Sequence, residues 1–388
     1  MNKVVVKNIT VEEIINLIPD DKVIRLSNTT NVDYQVKKLY GRSIFYLLLY
    51  GILESTKVSL RTLEDIFNST KFRFLFNIDC SETIKYNSIS DRLATINSDY
   101  FKEIYEDIYN RFSKIYTPDE AQLYSITRVD STMVAEAANK LKEGMKVGSK
   151  TDKKQIKYTF QLTDILPSSV EIFTQQNALS EDVAISETVL NNIDKHKNNI
   201  IVFDRGVTKR KLYSEIEYKQ GMFITRIRET SKYELFKRNT VINTQINNLH
   251  IKTDELVYLF DKQYQKNGPF RLIKAVKEDS KEIWFLTNLM DISNKDVILL
   301  YKKRWDIEVF FRFIKQELNF THFLSTNING IKVVLYMTMI LAILILIYKK
   351  YNELGYKRTI NRFKIELDEL ITKSMILICG GDPSFVFR

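Results

Sequence analysis

The chain has 388 residues, with 58 Lys and Arg against 48 Asp and Glu, a net charge of +10, and 44% hydrophobic residues. With 27% charged residues, that apolar share describes an ordinary soluble globular protein, and the length suits two or three packing units and a large core. Two cysteines far apart (Cys80, Cys379) exclude a disulfide framework, and three histidines (His196, His250, His322) without ligand spacing exclude a zinc cluster, so a working metal would be held by oxygens, which favours magnesium or manganese.

From the N-terminus, MNKVVVKNITVEEII is interrupted by charge too soon for a signal peptide, and an intracellular setting is expected. Residues 34–55 (DYQVKKLYGRSIFYLLLYGILE) have helical apolar spacing, and SLRTLEDIF opens on Ser59 as a cap. NSISDRLATI and SDYFKEIYEDIYNRFSKIY predict two more helices, the second capped at Ser98. An all-helical unit over residues 1–118 is expected, ending near Thr117 and Pro118, its short capped helices suited to contacting DNA.

The texture changes from Tyr124. YSITRVD, KYTFQLTDI, VEIFTQQ, NIIVFD and GMFITRIR read as strands, and SEDVAISETVLNNIDKH between two of them reads as a helix capped by Ser180. Strands and helices in this order, with acids closing the first and fourth strands, match an α/β sheet of RNase H-like type. Asp130 is expected where the first strand breaks off, and Asp204 follows four apolar residues of a buried central strand. Ligands of open α/β sheets gather at such carboxyl ends. Between residues 232 and 291 come further short strands, among them PFRLIKAVK and KEIWFLTN, whose Trp284 is expected in the core, with stacking on an unpaired base as the alternative.

Residues 301–315, YKKRWDIEVFFRFIK, predict one helix with two stripes. Ile307, Phe310, Phe311, Ile314 and Leu318 form the apolar stripe, and Trp305 is expected to pack with it. Tyr301, Arg304, Glu308, Arg312 and Lys315 share the other, so one carboxylate is bracketed by cations and a phenol. Cations hold a carboxylate in the charged form a metal ligand needs, and they can clamp phosphate. Farther on, residues 333–348 run 16 positions without a charge. As a helix that is about 24 Å, short of the ~30 Å of a bilayer core, so a buried helix is expected rather than a membrane span. Residues 351–388 read as an amphipathic helix followed by a GGDP turn.

Charge is unevenly spread. The first 120 residues hold 16 basic against 17 acidic residues, whereas 205–320 hold 23 against 15. A polyanion such as DNA fits that surplus.

The pattern Y-x2-R-x3-E-x6-K, complete here as Tyr301, Arg304, Glu308 and Lys315, resembles the signature of bacterial insertion-sequence transposases of the DDE type, the insertion-sequence-4 family. Asp130 in SITRVDSTMV and Asp204 in NNIIVFDRGV resemble the two upstream aspartates of that family. The resemblance covers roughly residues 120–350 well and the first third more loosely. It implies an RNase H-like catalytic core over 119–231 and 292–350, a mostly β insertion over 232–291, and a helical tail over 351–388. It implies Asp130, Asp204 and Glu308 as ligands of Mg2+, with Mn2+ as a substitute, and Tyr301, Arg304 and Lys315 on DNA phosphates. Arg312 stands where some relatives carry lysine and joins them as a candidate DNA contact. The implied reaction is cleavage at transposon ends and attack of the 3′ hydroxyl on target DNA. The implied partners are terminal inverted repeats, target DNA and a second copy in a synaptic homodimer; no membrane is expected, and the setting is cytoplasmic and nucleoid-associated. Two alternatives keep the same carboxylates or fold: another RNase H-like metal nuclease, or a domesticated copy that binds DNA without cutting it.

Overall fold

The computed structural model describes residues 8–16, 18, 20–54, 57–76, 78, 83–115, 124–135, 141–148, 153–196, 198–239, 245–261 and 263–387. Cys80 and the expected boundary at Thr117 and Pro118 fall outside these residues.

Among the described residues, seven helices come first: α1 (Val11–Asn16), α2 (Asp20–Thr29), α3 (Gly41–Glu54), α4 (Leu60–Asn68), α5 (Thr70–Leu75), α6 (Tyr86–Thr95) and α7 (Ser98–Ile115). Ser59 caps α4 by accepting from the Thr62 N–H at 3.1 Å, as its position in the sequence predicts. The cap of α7 is Asn97, whose Oδ1 accepts from the Asp99 N–H at 2.9 Å; Ser98 is already inside the helix. The helix expected from residue 34 starts only at Gly41. Asp33 Oδ1 accepts from the Gly41 N–H at 2.6 Å, and a Cβ at Gly41 would come within 2.7 Å of Val32 Cγ1, so the preceding turn folds back over the helix start. Helices α1 and α5, six residues each, are too short to show a helical period in the sequence, and α2 is a further helix that the structure adds.

Strands β1 (Ile126–Ala135), β2 (Met145–Lys146), β3 (Lys154–Thr163) and β4 (Leu166–Phe173) follow. Then come α8 (Glu181–Asn192), β5 (Ile200–Phe203), α9 (Arg210–Tyr218) and β6 (Met222–Ile227). The chain continues as β7 (Tyr233–Arg238), β8 (Gln245–Ile246), β9 (Leu249–Phe260), β10 (Lys266–Lys277) and β11 (Glu282–Thr287). Four helices close it: α10 (Asn294–Lys302), α11 (Trp305–Glu317), α12 (Ile328–Tyr351) and α13 (Tyr356–Ile378).

The described strands form one mixed sheet in the order β2-β3-β1-β5-β6-β11-β10-β9-β7, with β4 beside β3 and β8 beside β9. Pairings of β1 with β5 and β5 with β6 are parallel; β1 with β3 and β6 with β11 are antiparallel. The strands after residue 232 therefore extend the sheet that begins at β1. All four residues of β5 are buried, because both faces are covered. Ile185 and Val189 of α8 and Leu212, Tyr213 and Ile216 of α9 pack with Val129, Ile201 and Phe203 on one face. Val297, Ile298 and Leu300 of α10 pack with Ile126, Ile200 and Val202 on the other.

The uncharged run lies within α12, a 24-residue helix whose most apolar 18-residue window is 83% buried. It packs against α3, α6, α7, α13 and β4, not chiefly against α11. By length and composition alone it could cross a membrane. Its burial among polar-surfaced helices predicts that Ile343→Asp, at a fully buried position, costs more than about 4 kcal/mol in denaturant unfolding. Wild-type protein is expected to leave the membrane pellet under alkaline washing; retention there would contradict the packing.

Candidate active site

The geometry of the site follows from one face of β1. Alternate residues of a strand point to the same side, and here Arg128, Asp130 and Thr132 each reach α10 or α11. Arg128 Nε donates to the Lys303 carbonyl at 2.8 Å and its Nη2 to Asp306 Oδ2 at 2.7 Å. Arg304 Nη1 donates to Asp130 Oδ2 at 3.3 Å. Lys315 Nζ donates to Thr132 Oγ1 at 2.5 Å. Three successive rungs thus lay the helix along the strand.

Two expectations about local structure are corrected here. Asp130 does not end its strand: β1 continues to Ala135, paired with β3 from Asp130–Phe160 through Ala135–Gln155. What ends is the parallel ladder with β5, whose last pair is Val129–Phe203. Asp130 and Asp204 are therefore the next residues of two neighbouring strands just where their backbones part. Nor do residues 301–315 form one helix. The chain breaks between α10 and α11, where the Lys303 carbonyl, at the end of α10, accepts from the Asp306 N–H at 3.1 Å and also from the buried Arg128 guanidinium.

The break rearranges the cationic stripe. Arg304 sits at the start of α11 and bridges two carboxylates, donating from Nη2 to Glu308 Oε1 at 2.5 Å as well as to Asp130. Tyr301 belongs to α10, where its ring packs edge-on to Phe285 at 5.4 Å between centroids. Burial raises the Tyr301 phenol above its usual range, opposed by the Arg304 and Arg226 cations and reinforced by Asp204, so its hydroxyl faces the same charges. Arg312 is exposed on α11. Trp305, expected to pack, is 54% exposed because the break turns the first residue of α11 outward. Trp284 is buried, edge-on to Tyr233 at 5.8 Å and with Lys274 Nζ 4.6 Å from its ring centroid.

Burial raises the Asp130 carboxyl to about 7. The Ser131 N–H and Arg304 oppose this, while the nearby charges of Asp204 and Glu181 push it further up. A carboxyl that burial pushes toward its neutral form, beside a second carboxylate, suits a cation. Hard oxygen donors match magnesium or manganese. Among the described residues no group of three or more His, Cys, Asp or Glu side chains is already drawn together around a metal position. Arg304 instead spans Asp130 and Glu308, the two carboxylates carried on different elements.

Sequence reading missed Arg128, Arg226 and the acids Glu181 and Asp182. An arginine between apolar strand residues was the available signal for Arg128, which is 2% exposed. Arg226 on β6 ion-pairs with Glu229 at 3.8 Å, and its buried Nε has no protein acceptor, an orphan donor that suits a phosphate oxygen.

Residues 121–345 match the transposase DDE domain family. The chain is 22% identical over 261 residues to a transposase ascribed to insertion sequence element IS5377 of Geobacillus stearothermophilus, covering 67% of this chain and 66% of that one. It is 27% identical over 154 residues to the y4zB transposase of Sinorhizobium fredii, covering 39% of this chain and 43% of that one, so it spans less than two thirds of the length of either relative. It is 25% identical over 325 residues to a transposase ascribed to insertion sequence element IS4SA of a Synechocystis species, covering 83% of this chain and 85% of that one. Among solved structures, a cryo-EM piggyBac transposase synaptic complex with hairpin DNA aligns with 98% of this chain and 84% of that one, at 11% identity and a TM-score of 0.48. With more than half of its length matched, the chain belongs to the transposase DDE domain family.

Proposed function

We propose that this protein is a metal-dependent DNA transposase that cleaves the strand at transposon ends and joins the freed 3′ hydroxyl to target DNA. The observation that carries the reading is the convergence of the three sequence motifs: Arg304 ties Glu308 to Asp130, and Asp130 meets the charge of Asp204 across the parting of β1 and β5. The strand order β4-β3-β1-β5-β6, antiparallel and then parallel, supports an RNase H-like core. The strands of 232–291 would be the insertion, residues 1–118 a DNA-contacting helical unit, and 351–388 a helical tail. The complete Y-x2-R-x3-E-x6-K pattern supports placement near the insertion-sequence-4 group.

Asp130, Asp204 and Glu308 would hold Mg2+ or Mn2+. When bound, such ions activate the attacking oxygen and stabilise the leaving oxygen of a phosphodiester. The protein's own residues do the rest. Asp130 must release its proton to become a ligand. Arg304, released from Asp130 by a competing cation, would be free to donate to a DNA phosphate beside Arg226, Tyr301 and Lys315. Exposed Arg312 would meet the duplex farther along α11. A pair of ends would be held by two copies of the chain. The two-ended reaction would take place in the bacterial cytoplasm, at the nucleoid.

The deciding experiment supplies full-length protein with Mg2+ or Mn2+ and DNA carrying the inverted repeats that flank its gene. Nicking at the repeat ends followed by strand transfer is expected. Cleavage indifferent to the repeats would identify a general nuclease instead, and binding without cleavage a non-cutting DNA-binding protein. Arg304→Ala and Lys315→Ala are each expected to weaken end binding and to lower the slope of log affinity against log salt by about one. Unchanged slopes in both would assign these cations to holding α11 only.

A further inference from the structure

Ser131, Thr159 and Lys157 lie on the side of β1 and β3 away from α11, facing the first turn of α8. Ser131 Oγ donates to Glu181 Oε2 at 2.8 Å and lies 3.0 Å from Thr159 Oγ1. Lys157, fully buried, donates to Glu181 Oε1 at 2.9 Å and to the Leu179 carbonyl at 2.8 Å. Both oxygens of Glu181 are thus committed to neighbouring strands. Asp182 reaches the opposite way: Oδ1 accepts from the Thr208 and Lys209 N–H groups at 2.5 and 2.7 Å, and Oδ2 from Thr208 Oγ1 at 2.6 Å. One helical turn therefore grips the strand of Asp130 and the loop that leaves Asp204. Gly206 lies between the two grips. A Cβ there would stand 2.9 Å from Asp204 Oδ1 and 3.3 Å from Glu181 Cγ, so both acids close on the bare Gly206 backbone.

The ladder between β1 and β5 stops at Val129–Phe203, so sheet hydrogen bonds do not fix the distance from Asp130 to Asp204. Their like charges would open it further. We propose that Glu181 and Asp182 are positioning residues that set the separation of Asp130 and Asp204, and so determine how tightly the pair takes a divalent cation. The proposal rests on reading those two aspartates as metal ligands. Glu181 reaches onto β1 and β3 and Asp182 onto Thr208 and Lys209, which makes them positioning residues rather than members of the aspartate pair. Partners that orient ligands from behind commonly change metal affinity by about 10- to 100-fold when removed.

The test uses full-length protein and Mn2+ alone, with free Mn2+ followed by its paramagnetic resonance signal, alongside the Mn2+ dependence of end cleavage and the thermal midpoint. Asp182→Ala is expected to weaken Mn2+ binding about 10-fold or more. It should raise the Mn2+ concentration for half-maximal cleavage by the same factor, with saturating cleavage less affected. Asp182→Asn keeps an acceptor for the two N–H groups and is expected to recover most of the affinity. Ser131→Ala, which removes the bonds to Glu181 and Thr159, and Thr208→Val, which removes the bond from Thr208 Oγ1 to Asp182, provide the same reading should Asp182→Ala fold poorly. Exposed Glu187→Gln on the same helix is expected to bind Mn2+ as the wild type does. Wild-type Mn2+ affinity in Asp182→Ala, Ser131→Ala and Thr208→Val together would overturn the proposal, whatever their melting points. Wild-type affinity in Asp130→Asn would overturn the underlying assignment of the ligands instead.

Discussion

Asp130→Asn, Asp204→Asn and Glu308→Gln are each expected to lower metal-dependent end cleavage by at least about 10³-fold, because groups that act as one unit fail together. End binding should stay close to wild type, since DNA affinity comes mainly from phosphate contacts elsewhere. Band-shift and cleavage measurements on the same preparations check both halves; full cleavage by any one variant would remove that residue from the site. Asp130→Asn carries a second expectation. The Asp130 carboxyl is raised to about 7 by burial, so the folded protein binds a proton there that the unfolded chain, with an ordinary carboxylate, has already released. Unfolding then becomes easier as pH rises from about 4 to about 7, and the penalty is fully present above 7. Without metal at pH 8, Asp130→Asn should therefore melt at a higher temperature than wild type, and near pH 4 the difference should vanish. Mn2+ affinity of the wild type should fall as pH drops below about 7, because proton and cation compete for the Asp130 carboxylate.

Arg128→Met is expected to lower cleavage by about 10²-fold although Arg128 touches neither metal ligand nor DNA, since misplacing a catalytic group by about 1 Å costs that much. Arg128 holds the junction of α10 and α11 through the Lys303 carbonyl and Asp306, two residues before Asp130 on the same face of β1. Methionine fills the volume but removes the pairing with Asp306 and leaves the Lys303 carbonyl with the Asp306 N–H alone. A stability loss of about 1–3 kcal/mol in denaturant titration is expected, kept below the usual cost of breaking a buried pair because Asp306 is 44% exposed and can rehydrate. Asp306→Asn, which still offers an acceptor, should be milder in both measurements. Wild-type cleavage by Arg128→Met would show that the α10–α11 break holds without its anchor.

The sequence by itself determined the local elements wherever the signal was local. Four apolar residues before Asp204 make β5 a buried strand, Ser59 and Ser180 cap helices through their own next turn, and an uncharged run makes α12 a core helix. The three acidic motifs were legible for the same reason, as each carries its pattern within a dozen residues or so. Only the tertiary structure decided how those motifs meet. The helix expected across residues 301–315 is broken at Lys303 and Arg304, where bonds three residues apart replace the helical ladder, and Arg128, far back in the chain, adds a second donor to the Lys303 carbonyl and pairs with Asp306. That break sends Trp305 outward, sets Tyr301 against Phe285, and turns Arg304 onto two carboxylates instead of leaving it on a solvated stripe. Asp130 looked like a strand end because polar residues follow it. Those residues stay in the strand because Thr159 and Glu181 engage Ser131 on one face and Lys315 engages Thr132 on the other. Periodicity reports what a segment does with its own backbone; a buried charge takes its partner from wherever the fold brings one, and no spacing in the sequence encodes that pairing.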